Sequence, residues 1–186
     1  MSAPEARPWQ GTAYRHLPAD SPYGPLDTRF AARSRENRWN SAGAPTLALA
    51  GSPELLVQEF RQHIARNRDT ALAPLYQPRQ VFEIELRLQR MFDVTDAATL
   101  DALGIQGAPD CFEDRAVARA TADFLRHTRK ADGLLVPSRA AFGDTAHRNL
   151  IVFLDLLSEP LDVAVQRVRA ISTFQIQPIL TAASTS

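Results

Sequence analysis

The amino-acid sequence predicts a single α+β domain in which central mixed or antiparallel strands are flanked by helices. Three observations carry this prediction. Apolar residues alternate with polar ones at period two in one segment and recur at helical spacing in others. Short continuous apolar runs of strand length stand between them. The segments also follow one another in a mixed order, unlike the regular strand–helix alternation of a doubly wound parallel sheet. The 186 residues match one domain, and 45% hydrophobic with 23% charged residues is the composition of an ordinary packed chain.

Residues 1–12 carry Pro4, Pro8 and Gly11 with little apolar content and read as a flexible N-terminal segment. The domain is expected over 13–180, and the small polar residues 181–186 read as a flexible tail. A short strand around Ala13–Leu17 opens the domain, after which Pro18, Pro22, Gly24 and Pro25 break any period and leave mostly loop up to Asn40. An irregular stretch of that length is uncommon in a compact domain and points to function when it is ordered. Thr46–Ala50 follows the turn signal Ala42-Gly43-Ala44-Pro45 and reads as a short buried strand.

Ser52 is placed to cap a helix that begins at Pro53, where a missing amide hydrogen costs nothing, and runs to about Arg66. Leu56, Phe60 and Ile64 form its buried stripe, with Leu55 and His63 beside it and Glu59 at the border. From Val81 to Leu88, Phe82, Ile84, Leu86 and Leu88 share one face and Glu83, Glu85 and Arg87 the other, the pattern of a half-buried strand. Asp96 caps a helix that Gly104 ends after Leu103, and Ala116–Arg129 forms another, with Val117, Ala120, Phe124 and Leu125 expected to face inward. The apolar runs Gly133–Pro137 and Asn149–Leu154 read as central strands, whereas the pattern of Asp162–Ile176 leaves helix and strand open.

Composition excludes several function classes. Lysine plus arginine and aspartate plus glutamate both count 21, so no net field draws the chain to nucleic acid or an anionic membrane, and neither is an expected partner. No apolar run approaches the roughly 20 residues of a membrane helix. Cys111 is alone and the four histidines have no zinc spacing, so neither a disulfide nor a metal is expected. Residues 1–6 lack the basic start and apolar stretch of a secretory signal, and a cytoplasmic location is expected. No glycine-rich phosphate loop, dinucleotide fingerprint, metalloprotease motif or Gly-x-Ser-x-Gly elbow is present.

Lys130 is the only lysine among the cations. High-GC codon usage is the plain cause, yet guanidinium groups bind phosphate bidentately where an ammonium acts as a point charge. Arg15 beside the first strand, Arg38 in Asn37-Arg-Trp-Asn40, Glu59 on the capped helix, and Ser138 and Asn149 around the two apolar strands remain as candidates. Each also has an ordinary reading: a helix-border carboxylate, surface arginines, a serine ending a strand. Trp39 reads as packing, His63 as a helix-face residue, and His127 with Arg126, Arg129 and Lys130 as cations at the negative end of a helix dipole.

Taken together, Asn37–Ala50 with Ser52 and Glu59, then Phe92-Asp-Val-Thr-Asp96, then Asp132–Ser138 and Asn149–Phe153, resemble in order the blocks of the RES domain, named for its arginine, glutamate and serine. The resemblance spans about residues 13–155. It implies a fold similar to ADP-ribosyltransferase toxins and the role of toxin in a type II toxin–antitoxin system. It also implies a cognate antitoxin, often with a Xre-like DNA-binding part, as partner. NAD+ is then a substrate, broken between nicotinamide and ribose by hydrolysis or phosphorolysis, and no separate cofactor is expected.

The chemistry sets what such a site needs. In NAD+ the nicotinamide is already cationic, so its departure requires no general acid, and the sugar becomes oxocarbenium-like. Under the resemblance, Glu59 supplies the stabilising field and holds a ribose hydroxyl. Arg15 and Arg38 fork onto the pyrophosphate, and the Ser138 hydroxyl orients the nicotinamide side. The predicted catalytic set is therefore Glu59, Arg38 and Ser138, and the predicted substrate-binding set is Arg15, Arg38, Ala48, Ser138 and Asn149.

Two positions depart from the pattern. Asn37 stands where the family has glycine, and asparagine tolerates left-handed backbone angles better than most residues. Ala48 stands where the family has tyrosine, and the missing ring removes a stacking surface or hydrogen bond. Three accounts of Ala48 stay open at this level: a deliberate substitution, a divergence in which Tyr14, Tyr23 or Tyr76 fills the space, or weakened activity. ADP-ribose transfer to a protein and a non-catalytic partner-binding module stay open as well.

Overall fold

The computed structural model describes residues 4–33, 38–66, 76–141 and 147–177. Asn37 and the tail 181–186 lie outside them. Among the described residues, six strands and four helices follow in the order β1 (Arg7–Pro18), β2 (Thr46–Ala50), α1 (Pro53–Arg66), β3 (Arg79–Asp93), α2 (Ala97–Leu103), α3 (Arg115–Arg129), β4 (Gly133–Pro137), β5 (Arg148–Phe153), α4 (Leu161–Ala164) and β6 (Val165–Phe174). This is an α+β fold built on one mixed sheet. Among the described residues no helix is long and apolar enough to cross a membrane.

The strand order is β1-β2-β5-β4-β3-β6, and β1 also pairs with β3. That additional pairing closes β1, β2, β5, β4 and β3 into a ring, with β6 attached outside it. The long β3 makes this possible. Its first part lies antiparallel between β1 and β6, and its end, Met91–Asp93, runs parallel to β4 opposite Gly133–Leu135. β1 meets β2 at Tyr14 opposite Ala50.

β4 and β5 bury both faces, which is why they read as continuous apolar runs. Leu150 and Val152 pack with Leu47, Leu49, Ile84, Leu86 and Leu88. Ile151 and Phe153 turn the other way, against Phe92, Phe112, Leu125 and Leu134. Asp132, itself buried at the foot of β4, gathers the ends of these strands. Its Oδ2 accepts from the backbone of Gln89 at 2.8 Å and Arg90 at 3.1 Å, and its Oδ1 from the Ser158 hydroxyl at 2.8 Å and the Arg90 guanidinium at 3.2 Å. Burial pushes its pKa up, but these donors together outweigh it and hold the carboxyl below the usual aspartate range.

Several expectations change. β1 starts at Arg7 rather than Ala13, because residues 7–12 add to the β3 pairing. β3 runs past Leu88 to Asp93. α3 buries Ala118, Thr121, Ala122, Leu125 and Arg126, while Ala120 is exposed and Val117 and Phe124 are 37% and 42% exposed. Two adjacent stripes of this helix have helical spacing, and packing selected the one whose alanines let the helix approach the sheet. Arg126 goes inside with them and pairs with Asp155 at 2.5 Å, so it is a core residue rather than a cation at the helix end. The undecided segment 162–176 is the short α4 followed by β6.

Candidate functional site

α1 is the site's main support. Ser52 Oγ accepts from the Leu55 amide at 3.1 Å, Pro53 occupies the first turn, and the buried Leu56, Phe60 and Ile64 fix which face looks outward. At the preceding turn, a Cβ on Gly51 would collide with the Arg148 carbonyl oxygen, so only glycine lets the chain swing from β2 into α1 this close to β5.

Glu59 is thereby brought against β4 and β5. The Ser138 hydroxyl, just past the end of β4, donates to Glu59 Oε1 at 2.6 Å, and Asn149 Nδ2, on β5, donates to the same oxygen at 2.6 Å. Ser138 is fully buried, and its oxygen also accepts from the Ala140 amide at 3.1 Å. Its hydroxyl is directed at Glu59, and Ser138 is not among the described residues that line the hollow in front of that carboxylate. Asn149 Oδ1 is buried without a hydrogen-bond partner among the described residues.

Glu59 opens on a hollow of about 540 Å³ whose wall includes Arg38, Trp39, Thr46, Ala48, Asn149 and Ile151. Gln62, His63 and Arg66, the next residues on the same face of α1, join it, as do Arg115 at the start of α3 and Arg139 after Ser138. Burial lowers the Arg38 pKa first, and Arg139, Arg115 and Arg66 lower it further. Arg66 is lowered in the same way, by burial and then by Arg139 and Arg115, with Glu59 opposing. Both stay cationic, because guanidinium does not deprotonate in proteins. Among the described residues that line the hollow, one carboxylate stands with four guanidiniums, in a chain whose formal net charge is +0. Such a site favours an anion.

Arg38 is fixed at the rim by backbone carbonyls. Its guanidinium donates to the Phe112 oxygen and to the Glu113 oxygen at 2.9 Å. Trp39 packs on Phe112 at 5.0 Å between ring centroids and also lines the hollow.

Arg15 is placed elsewhere. It lines a second hollow of about 660 Å³ together with Tyr23, Phe30 and Asp27, and donates to the Pro25 oxygen. Burial lowers its pKa, against the pull of Asp27. Of the predicted residues, Arg38, Glu59, Ala48 and Asn149 thus share one hollow, Ser138 stands behind Glu59, and Arg15 lies in the neighbouring one. Tyr23 shares the second hollow with Ala48, whereas Tyr14 packs near Leu56 and Val81.

Gln62, Arg66, Arg115 and Arg139 also line the hollow although the sequence pattern does not single them out, and so does His63, which the pattern places only on the helix face. Gln62, His63 and Arg66 follow Glu59 at intervals of three, four and seven, a signal that was legible on the helix face. Arg115 has no local signal. His16, at the junction of β1 and α1, is a neutral acceptor: burial, then Arg79, Arg15 and His63, push its pKa down to about 4, and Arg79 Nε donates to its Nδ1 at 3.0 Å.

Comparison with solved structures finds the same fold in a chain of the crystal structure of the M. tuberculosis MbcT–MbcA toxin–antitoxin complex. The TM-score is 0.62 at 18% identity, over 92% of this chain and 87% of that one. A sequence comparison with curated proteins gives no significant match. The family description RES domain matches residues 12–175, most of the length, and the chain belongs to the RES domain family.

Proposed function

We propose that this chain is the toxin of a toxin–antitoxin pair and that it cleaves the nicotinamide–ribose bond of NAD+. The observation that carries the reading is Glu59, held through one oxygen by Ser138 and Asn149, on the wall of a hollow with four guanidiniums. The RES family and the toxin–antitoxin complex that shares the fold support a cognate antitoxin as partner. A Xre-like DNA-binding part in that antitoxin, and inhibition by covering the hollow, belong to the same proposal.

The reaction asks little of a general acid. The electrons of the glycosidic C–N bond leave with nicotinamide, which departs neutral, and the ribose carries the positive charge. Glu59 faces that charge. Its second oxygen, Oε2, is the one to accept from a ribose hydroxyl, since Oε1 already takes two donors. Fixing Oε1 from two sides sets the carboxylate before substrate arrives, so no reorganisation is required as charge develops. Arg38, Arg66, Arg115 and Arg139 hold the pyrophosphate, and Asn149 Oδ1 offers an acceptor to a ligand hydroxyl or amide. Water or phosphate then adds to the sugar carbon and loses a proton.

Incubation with NAD+, with and without phosphate, tests this by chromatography of nicotinamide and of the ribosyl product. The expected result is nicotinamide release that Glu59→Gln lowers about 10²–10³-fold, the usual effect of losing one preorganised electrostatic group. ADP-ribose marks water as acceptor, its 1″-phosphate marks phosphate, and label on protein marks transfer to a polypeptide. Absence of nicotinamide from both the native chain and Ala48→Tyr overturns the reading and leaves a binding module.

A further inference from the structure

One face of α3 is apolar, exposed and unused by the site. Val117, Ala120 and Phe124 follow one another on it at intervals of three and four, Val117 at 37% and Phe124 at 42% exposure, with the exposed Ala120 between them. None of the three lines the hollow that holds Glu59, so this face is separate from the one an antitoxin would cover. A hollow of about 300 Å³ adjoins the stripe, walled by Ala102, Leu103 and Ile105 at the end of α2 and by Ala120 and Phe124 of α3. Apolar positions spaced in this way are anchors for a second helix, and an alanine between them lets two helices approach closely.

The charges at the two ends of the stripe select which helix fits. Asp110 and Glu113, both exposed, stand just before α3, and Glu113 precedes Val117 by four residues. His127, Arg129 and Lys130 stand at the other end. Arg129 lies over the Phe124 ring at 5.8 Å, and its Nε is buried without a hydrogen-bond partner among the described residues. A helix that suits this face therefore carries an apolar stripe with cations opposite Asp110 and Glu113 and acids opposite Arg129 and Lys130. A copy of α3 laid antiparallel meets both demands.

We propose that the exposed stripe of α3 is a self-association face, on which a second copy of this chain packs its own α3 antiparallel about a two-fold axis. Val117 of each copy then meets Phe124 of the other, the two Ala120 residues lie near the axis, and the acidic start of each helix faces the cationic end of its mate. Such a contact is self-complementary, as a two-fold interface must be. Antiparallel packing also sets the helix dipoles head to tail, whereas a parallel copy would bring like charges together. One helix pair with a flanking hollow falls below the roughly 1,200 Å² of a stable interface, so the dimer is reversible, with a Kd of about 10–100 μM. The proposal does not depend on the NAD+ reading.

Sedimentation velocity of the full chain tests it, from about 1 to about 200 μM, a range that brackets such a Kd. The native chain is expected to pass from monomer to dimer as concentration rises. Phe124→Glu, which sets a charge on the stripe, is expected to weaken the dimer at least about tenfold and leave the chain monomeric over most of the range. If circular dichroism shows Phe124→Glu misfolded, Val117→Glu decides in its place. Glu113→Lys and Lys130→Glu are each expected to weaken association about threefold, and the two together in one chain to restore it to within about twofold of native. A native chain that stays monomeric throughout overturns the proposal, as does a dimer that both stripe variants leave intact. Charge reversals whose losses add instead of cancelling overturn the antiparallel pairing. Loss of antitoxin binding by Phe124→Glu, in a chain that never dimerises, gives the face to that partner and overturns self-association.

Discussion

Two side chains, one just past the end of β4 and one on β5, donate to one oxygen of Glu59, and neither needs to touch substrate to matter. Ser138 is the clearer case, because it is fully buried. Ser138→Ala removes a bond to the carboxylate and leaves the Ala140 amide without its acceptor, at a stability cost of about 1–2 kcal/mol. If Ser138 positions Glu59, steady-state kinetics will show kcat reduced about tenfold with KM for NAD+ nearly unchanged. An equal fall carried by KM would instead place the hydroxyl on the substrate. Glu59 and Arg38 were legible as site residues because they sit in a contiguous block that resembles the RES signature. Arg115 was not legible, since it reaches the hollow from a helix start far along the chain and nothing around it distinguishes it from other surface arginines. Ser138 carries two readings for a related reason: a sequence shows a hydroxyl but not whether it faces a cavity or a neighbouring carboxylate.

Among the elements, α1 and α2 were readable to the residue because their ends carry local chemistry. Asp96 Oδ2 accepts from the Thr99 amide at 3.0 Å, and Gly104 adopts the left-handed angle that ends the helix. α3 shows where such reading stops. Residues 118, 121, 122 and 125 and residues 117, 120 and 124 both have helical spacing, and the more hydrophobic stripe is the exposed one. What decides is the sheet underneath, where small alanines and the aliphatic stem of Arg126 fit and a phenylalanine does not. The guanidinium lies over the Phe153 ring and pairs with Asp155, while its Nε and one terminal nitrogen have no partner among the described residues. Urea titration should therefore rank three variants. Arg126→Ala destabilises by about 2–4 kcal/mol through the lost stem and pair. Arg126→Met, which keeps the volume and removes the charge, stays within about 1.5 kcal/mol of native. Phe124→Ala stays within about 0.5 kcal/mol. Phe124→Ala exceeding Arg126→Ala would mean that the helix packs on the other stripe.

At the scale of the whole molecule, the ring of strands is closed by contacts between segments far apart in the chain. The β1–β3 pairing has no local signature, and β6 carried none at all, because most of its residues are exposed and no alternation of burial marks a face. The closure at the other end rests on Asp132, which ties the end of β3, the start of β4 and Ser158 beyond β5. Its pKa is lowered in the folded chain, so the unfolded state takes up its proton first. Stability from Asp132 is then fully present above the unfolded value of about 3.9 and is lost as pH falls through the lower folded value. Asp132→Asn keeps one acceptor oxygen but sets an amide against backbone donors, and at pH 7 it should cost about 2–4 kcal/mol. Between pH 5 and pH 3, unfolding free energies from urea curves should fall less steeply for the variant than for the native chain, since the titrating group is gone. Parallel pH profiles would show that the ring is held closed by apolar packing between β3, β4 and β5, with the buried carboxylate contributing nothing to acid sensitivity.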